Sequence, residues 1–427
     1  MHETKDVAVP EPQRGGFARF GASVGLANLG DGIAVVAWAW TASLLTRDPF
    51  WIAFLPAVLR VPWIVFSIPA GVLADRVDRR RLIVLCDAIR AAAYGAIACA
   101  VLFSMPLSEP PAQGFGDGAL YIMLICAGLL IGCAEVVRDN TGQSLLPAIV
   151  PPKDLERANG ILGSIETVGN EMAGPAVGAF LIALFLPAPF LAIALALLCA
   201  AILAASLPGT FAPAYRRTRG AGWRAELIEC ARFVWAHPML RLLVFVTGIW
   251  NFFAEMALIA LVLHVQENLA SGATTYGLIL AFGAVGGVCG GVLVAPLLKV
   301  VSKGNAARWM GATTAPVFLL FAVAPGPATV AAAMFVFSLS GVIWDAVSVS
   351  YRQRVVPDGI RGRVNSVYRL FAWGTMPLGL LASGAMVNIA ENSLDRSTAL
   401  IVPFIVAAFG ILVLSVITWR PIGRGFQ

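Results

Sequence analysis

Apolar runs of about 20 residues, the length a helix needs to cross a hydrocarbon core, recur twelve times along this 427-residue chain. The pattern predicts spans at 17–45, 50–74, 82–104, 119–147, 158–186, 188–207, 239–266, 274–299, 308–325, 327–352, 363–390 and 397–419. Two breaks are very short, at Pro187 to Pro189 and Pro325 to Pro327, and both are built on proline. Proline removes a helix donor and suits a tight turn, so each break is read as a real reversal. The expected fold class is an all-α membrane protein.

Composition agrees with the pattern. Some 59% of residues are apolar and 13% are charged, with mean hydropathy +0.82. That leaves too little polar surface to cover a water-soluble globule of this size, so most of the exterior must face lipid. The polar stretch Met1 to Gly16 lacks the apolar core of a secretory signal, which leaves the first span as the expected targeting signal. Cys86, Cys99, Cys126, Cys133, Cys199, Cys230 and Cys289 form no C-x-x-C pair, and most lie in apolar runs as small packing residues. His2, His237 and His264 are too few and too separated for a metal site, so no metal and no bound cofactor are expected.

A net charge of +6 could signal nucleic acid, but the basic residues cluster in alternate loops. Arg76, Arg79, Arg80, Arg81, Lys153, Arg157, Arg216, Arg217, Arg219, Arg224, Lys299, Lys303, Arg361 and Arg363 fall on one side. Arg47 and Arg396 alone fall on the other. The positive-inside rule then places both termini in the cytoplasm of a plasma membrane. The expected organisation is a tail (1–16), a six-helix bundle (17–207), a linker (208–238), a second bundle (239–419) and a second tail (420–427). In the linker, Trp223, Leu227, Cys230, Ala231, Val234 and Trp235 share one helical face, predicting an amphipathic helix on the membrane surface. Val150-Pro151, Arg157, Asn159 and Gly178 recur 206 positions later as Val356-Pro357, Arg363, Asn365 and Gly384. Such a repeat suits two pseudo-symmetric halves with a site between them near mid-bilayer.

The loop between spans two and three reads Gly71-Val-Leu-Ala-Asp75-Arg76-Val-Asp78-Arg79-Arg80-Arg81-Leu82. Gly71 allows close helix approach, Asp75 can cap a helix or pair with arginine, and the arginine run suits an anionic leaflet. The pattern, at this place among twelve spans, resembles the loop signature of the major facilitator superfamily, G-x-x-x-D-R-x-G-R-R. Asp78 replaces its second glycine, as in the exporter branch related to enterobactin and macrolide efflux transporters. Asn28-Leu-Gly-Asp31, Arg60-Val-Pro62, Gln143-Ser-Leu-Leu-Pro147, Leu155-Glu-Arg-Ala-Asn159-Gly160 and His237-Pro238 are similar to the same branch. Gly174-Pro175-Ala-Val-Gly178 in span five is similar to the antiporter motif of drug exporters, with Asn170 and Ala179 in place of two of its glycines. The resemblance implies the major facilitator fold, export, and a cytoplasmic gate formed by Gly71, Asp75, Arg76, Arg79 and Asp139.

A charge at the centre of a span costs about 2.5 to 3.5 kcal/mol. This chain holds Asp31, Arg60, Glu135, Arg138, Asp139, Glu166, Glu171, Glu255, Asp345 and Arg369 in such places, so they must pair, protonate or face water. Asp31 is read either as a proton site or as a carboxylate satisfied by Arg60 or a neighbouring backbone; Glu135 and Arg138, three residues apart, are read as a pair or as cavity residues. Glu166, Asn170 and Glu171 suit an inter-helix contact, Glu255 with Asn251 a polar cavity face, and Asp345 beside Trp344 a cationic amphiphile. The resemblance places spans one, four, seven and ten around the central cavity, making Asp31, Arg60, Glu135, Arg138, Glu255 and Asp345 the candidate coupling residues.

The expected function is secondary transport without enzymatic chemistry: a monomer in a bacterial lipid bilayer exchanging protons for a small amphiphilic drug, antibiotic or siderophore. No phosphate-binding G-x-x-x-x-G-K-[ST] loop is present to couple ATP. Uptake or uniport is the alternative within transport. A lipid scramblase or a non-transporting sensor is the alternative outside it.

Overall fold

The computed structural model describes residues 14–426, apart from 75, 108, 112–113, 152–153, 210 and 212–222. All twelve predicted spans are helices: α1 (Arg14–Leu45), α2 (Pro49–Ala74), α3 (Arg79–Phe103), α4 (Gly118–Ile149), α5 (Arg157–Leu184), α6 (Ala188–Ala205), α7 (Pro238–Asn268), α8 (Ala273–Val300), α9 (Lys303–Val323), α10 (Pro327–Val355), α11 (Val367–Ala390) and α12 (Arg396–Gly425). An even number of passes puts Arg14 and Gly425 on one face, the terminal face; the other is the far face.

Helix starts follow local capping chemistry. Asp78, Asp117, Ser302 and Asp395 each accept a hydrogen bond from a backbone N–H in the first turn of α3, α4, α9 and α12. The Ser302 cap starts α9 five residues before the predicted 308, because the polar turn Lys303 to Ala307 is helical although not apolar. The Asp117 carboxylate also accepts from Ser104 Oγ at 2.9 Å, and these bonds hold its carboxyl below the usual range. At Asp395, hydrogen bonds from Ser397 and Thr398 lower the carboxyl from 3.8 to about 2. That cap therefore contributes above the ordinary value and is lost only as pH falls toward the lowered one. The last helix continues past the predicted 419 to Gly425.

Four of these helices are irregular: α7 ends in a π-helical stretch, His264–Asn268, α12 is interrupted at Leu400 and Ile401, and α5 and α11 change course near their middles. In α5, residues Val168–Ala173 form a π-helical turn just before Pro175, whose ring nitrogen offers no N–H to the preceding turn. The helical backbone that leads into α11 (Asp358–Trp373) breaks at Gly374 and Thr375 and resumes at Met376. The linker helix, Trp223–Ala236, exists as predicted. Its Cys230 and Val234 are buried with Leu240, Leu243, Val364 and Val367, and Trp235 packs on Phe245 and Phe371. The helix is thus docked on the second half rather than lying free on the membrane surface.

The core shows how the two bundles meet. Toward the far face one continuous apolar cluster joins Ile33, Trp38, Ile52 and Phe190 of the first half to Ala257, Tyr276, Phe318 and Phe404 of the second. Toward the terminal face it splits into clusters confined to one half: Phe20, Ile83, Leu145 and Leu146 in the first, and Leu243, Met310, Ile343 and Val367 in the second. Large apolar side chains such as Phe180, Val292, Phe409 and Val416 are exposed at the perimeter, where lipid takes the place of a packing partner.

The contacts between halves follow the same gradient. The α2 and α11 helices touch from Phe50 and Gly384 near the far face to Trp63 and Trp373 near mid-depth. The α5 and α8 helices touch at Ala179 and Gly277 and again at Met172 and Gly287. Further toward the terminal face, a Cβ at Gly160, Gly163 or Gly291 would meet nothing within 4 Å. The molecule is sealed at the far face and cleft from the terminal face.

Candidate functional site

Three helices of the first half bring a charged cluster into the apolar interior. The Arg90 guanidinium of α3 pairs directly with Asp31 of α1, and lies 3.8 Å from Asp87 and 3.9 Å from Glu135 of α4. Arg138 of α4 lies 3.3 Å from Asp87 and 3.5 Å from Asp139, and donates to the Ser23 carbonyl of α1 at 3.2 Å. Asp87 and Arg90 are fully buried and Arg138 is 3% exposed. Among the described residues, four carboxylates here share two guanidiniums. With every carboxylate ionised the cluster carries excess negative charge in a low-dielectric region, so a proton bound there relieves repulsion.

This geometry revises several expectations. The partner of Asp31 is Arg90, not Arg60, because α3 rather than α2 presents an arginine to it. Glu135 and Arg138 share a helix face but point to different partners: Glu135 to Arg90 and the Trp63 indole N–H (3.2 Å), Arg138 to Asp87 and Asp139. Asn251 does not face the cavity; it is buried and donates to the Ala372 carbonyl, tying α7 to α11. Trp344 turns away from Asp345 into the second half, where its N–H reaches Thr247. Asp87 and Arg90 escaped the sequence reading, although two charges three residues apart in the apolar run Leu82 to Phe103 are a signal of the same kind as Glu135 and Arg138.

Around the cleft the remaining charges face one another across the halves. Arg60 is within electrostatic reach of Glu135, Glu171 and Glu255. Glu171 of α5 and Asp345 of α10 are both exposed to the cleft and sense each other. Arg352 stands near Asp345, its guanidinium 3.7 Å above the Tyr368 ring. Arg369 stacks 3.9 Å from Trp373 and 5.3 Å from Trp63, within reach of Glu166. Asn170 donates to Asn28 Oδ1 at 2.9 Å, an α5 to α1 contact as expected. Asp139 and Asp345 occupy positions 206 apart, on the offset of the internal repeat. Where the first half has its charged cluster, the second has Thr247, Trp344, Ser348 and Tyr368 in a neutral hydrogen-bonded group.

The antiporter-like segment has a plain structural effect. A Cβ on Gly174 would sit 2.5 Å from Gly32 Cα, and one on Gly178 would sit 2.8 Å from the Ile33 carbonyl oxygen. Both glycines, with Pro175 between them, let α5 press onto α1 immediately beside Asp31. In the gate segment Asp75 lies outside the described residues, and Arg76 is exposed at the turn after Gly71 and Ala74. Asp78 does more than replace a glycine: it caps α3 and accepts from the Phe211 N–H at 3.1 Å, while Arg80 donates to the Leu207 carbonyl. The loop is thereby fastened to the chain leaving α6. The Arg79 N–H donates to the Phe211 carbonyl, and Asp139 pairs with its neighbour Arg138.

The far face is held by a second charged group. Arg396 forms a two-pronged pair with Glu267 (2.7 and 3.0 Å), reaches Glu391 at 2.5 Å and donates to the Arg47 carbonyl of the first half at 2.8 Å. Arg47 donates to Gln266, Gln266 to Ser43, and Asn388 to Asp48. The two arginines that break the loop charge pattern are therefore the latch between halves. Arg396→Gln is expected to cost this latch roughly 1 to 2 kcal/mol after solvent screening, a factor of about five to thirty in population. Thiol labelling of Ser43→Cys in a cysteine-free background should rise accordingly; unchanged labelling would show that the latch does not set the closure.

The comparisons with known proteins bear on this geometry. A family model described as a transmembrane secretion effector matches residues 14–420. The chain belongs to this family of the major facilitator superfamily. Among its relatives, the multidrug efflux pump Tap of Mycolicibacterium fortuitum is 23% identical over 380 residues, covering 85% of this chain and 87% of the pump. Tap of Mycobacterium tuberculosis H37Rv is 25% identical over 378 residues, covering 86% and 85%. Solved structures share the fold: the nucleoside transporter NupG (TM-score 0.68, 12% identity, 95% of this chain and 98% of that one) and a bacterial homologue of the iron transporter ferroportin in an inward-facing state (0.65, 18%, 94% and 98%). This member of the secretion-effector family is a multi-pass membrane transporter.

Proposed function

We propose that this transporter is a proton-coupled exporter of small cationic amphiphiles, working by alternating access with both termini in the cytoplasm. The observation that carries the reading is the buried cluster of Asp31, Asp87, Glu135 and Asp139 around Arg90 and Arg138. Such a cluster accepts a proton from one side and returns it to the other once the cleft has turned. Exchanging one proton for one monovalent cation moves no net charge, so the pH difference is the driving force: each pH unit supplies about 1.4 kcal/mol, enough for roughly a tenfold substrate gradient.

In this orientation the cleft opens to the cytoplasm, the state that loads cargo for export. Glu171, Glu255 and Asp345 offer the cargo negative charge, and Trp63 and Trp373 offer aromatic faces, a combination suited to a cation with an apolar body. The Tap relatives, named multidrug efflux pumps, support the direction. Asp75, Arg76 and Arg79 with Asp139 are proposed to close the cytoplasmic side in the opposite state.

The test is ethidium uptake into everted vesicles with and without an imposed pH gradient. Uptake should follow an acid-inside gradient and collapse when a protonophore is added. Gradient-independent uptake would leave facilitation as the mechanism, and normal gradient-driven uptake by Asp31→Asn and Glu135→Gln would remove the cluster from coupling.

A further inference from the structure

Trp63 occupies an unusual place. Its indole N–H donates to Glu135 Oε1 at 3.2 Å inside the first half, while its ring packs against Trp373 of the second half, centroids 6.0 Å apart at 68°. The Arg369 guanidinium lies against both rings, 5.3 Å from the Trp63 centroid and 3.9 Å from the Trp373 centroid. Next to them Ile64 faces Gly374, where the helix feeding α11 breaks. Beyond this point α2 carries exposed Val65, Phe66 and Leu73 toward the terminal face. Trp63 thus sits where the seal between halves gives way to the cleft.

We propose that Trp63 is the positioning residue that transmits the charge state of Glu135 to α11, coupling the buried cluster of the first half to the opening of the cleft. The proposal rests on the proton-coupled reading above. An ionised carboxylate is a strong acceptor, and a charge-assisted bond fixes the indole plane. Arg369 and Trp373 both contact that ring, Trp373 in an edge-to-face arrangement. Protonating Glu135 weakens the bond and frees the ring, so the contact of α2 with α11 loses its register where α11 can bend, at Gly374 and Thr375. The groups facing Glu135 set its charge state together: Asp31 from α1, Arg60 from α2, Arg90 and Tyr94 from α3, Asp139 from α4 and Glu166 from α5, with Asp87 and Arg138 one step behind. The Trp63 link carries that set across to an aromatic partner of the other half.

The experiment uses the full chain in lipid nanodiscs, with spin labels at Ile161→Cys on α5 and Val292→Cys on α8, two exposed positions on helices of opposite halves, in a cysteine-free background. In the wild-type background the wide-cleft population should fall as pH is lowered. Trp63→Phe keeps an aromatic face for Arg369 and removes the N–H; it should reduce this pH response at least roughly fivefold, the lower end of ordinary coupling energies. Glu135→Gln keeps an acceptor oxygen for the indole N–H but cannot ionise, so it should blunt the pH response in the same way, and Trp63→Phe should add nothing to it because both cut the same link between charge and ring. Arg369→Gln, which leaves the N–H intact and breaks the other side of the link, should also blunt the response.

A full pH response in Trp63→Phe, or additive effects of Trp63→Phe and Glu135→Gln, would overturn the link while leaving proton coupling standing. No pH response in the wild-type background would remove proton coupling and the link with it. A merely structural tryptophan would lower heat resistance in detergent without altering the pH response.

Discussion

Arg90→Ala is expected to be the most damaging single substitution in the first half. It removes the guanidinium that Asp31 pairs with and that Asp87 and Glu135 flank, leaving Arg138 as the remaining cation paired within the cluster among the described residues. Breaking a buried ion pair by deleting one partner costs about 3 to 5 kcal/mol. That is a large share of a total stability of roughly 5 to 15 kcal/mol. Heating in detergent followed by size exclusion should show the variant aggregating well below the wild-type temperature.

The chemistry of the loss can be separated from its size. Arg90→Lys restores a positive charge but not the planar fork, so recovery should be partial. Arg90→Met combined with Asp31→Asn removes a cation and an anion together and should cost less than the two single changes summed. Wild-type heat resistance in Arg90→Ala would mean that the carboxylates around it are satisfied some other way.

The second large effect is expected from Gly174→Val. A Cβ at 174 would sit 2.5 Å from both Gly32 Cα and the Gly169 carbonyl oxygen, and backbone atoms cannot rotate away as a side chain would. The α1 and α5 helices must separate, at a cost of about 1 to 3 kcal/mol for overpacking. Gly32 adjoins Asp31, so the same movement pulls the Asp31 carboxylate off Arg90. Gradient-driven ethidium uptake should therefore fall further than heat resistance does. Gly160→Ala is the control, since its Cβ would meet nothing within 4 Å; it should match the wild type in both measurements. Equal loss in both variants would mean that the α1 to α5 contact has no special part in transport.

How much of this was legible in the chain follows from the range of each force. Twelve spans could be read because hydrophobic burial in lipid acts residue by residue and leaves a pattern about 20 residues long. The Gly71 to Leu82 loop named the superfamily for a similar reason: its residues act locally at one helix junction. Asp78 caps α3 whatever the rest of the chain does, and Ser302 likewise starts α9.

Pairing was not legible, because it depends on which helices become neighbours and how each is rotated. Asp31 could have been matched to Arg60 by depth alone, yet α3 presents Arg90 instead. Glu135 and Arg138 are neighbours on a helix surface, but each has a better-placed partner on another helix. Trp63 gave no sign at all, since one tryptophan in an apolar run is ordinary. Its meaning lies in the meeting of Glu135 on one side with Arg369 and Trp373 on the other.

The sequence by itself determined that the chain is a twelve-helix membrane protein of the major facilitator type, because hydropathy and local motifs do not need tertiary contacts to be read. The tertiary structure decided where the charges meet, that the far face is latched by Arg396 and that the cleft opens from the terminal face. Those depend on contacts between residues tens to hundreds of positions apart, such as Arg47 and Arg396, whose geometry is fixed only once the helices have packed.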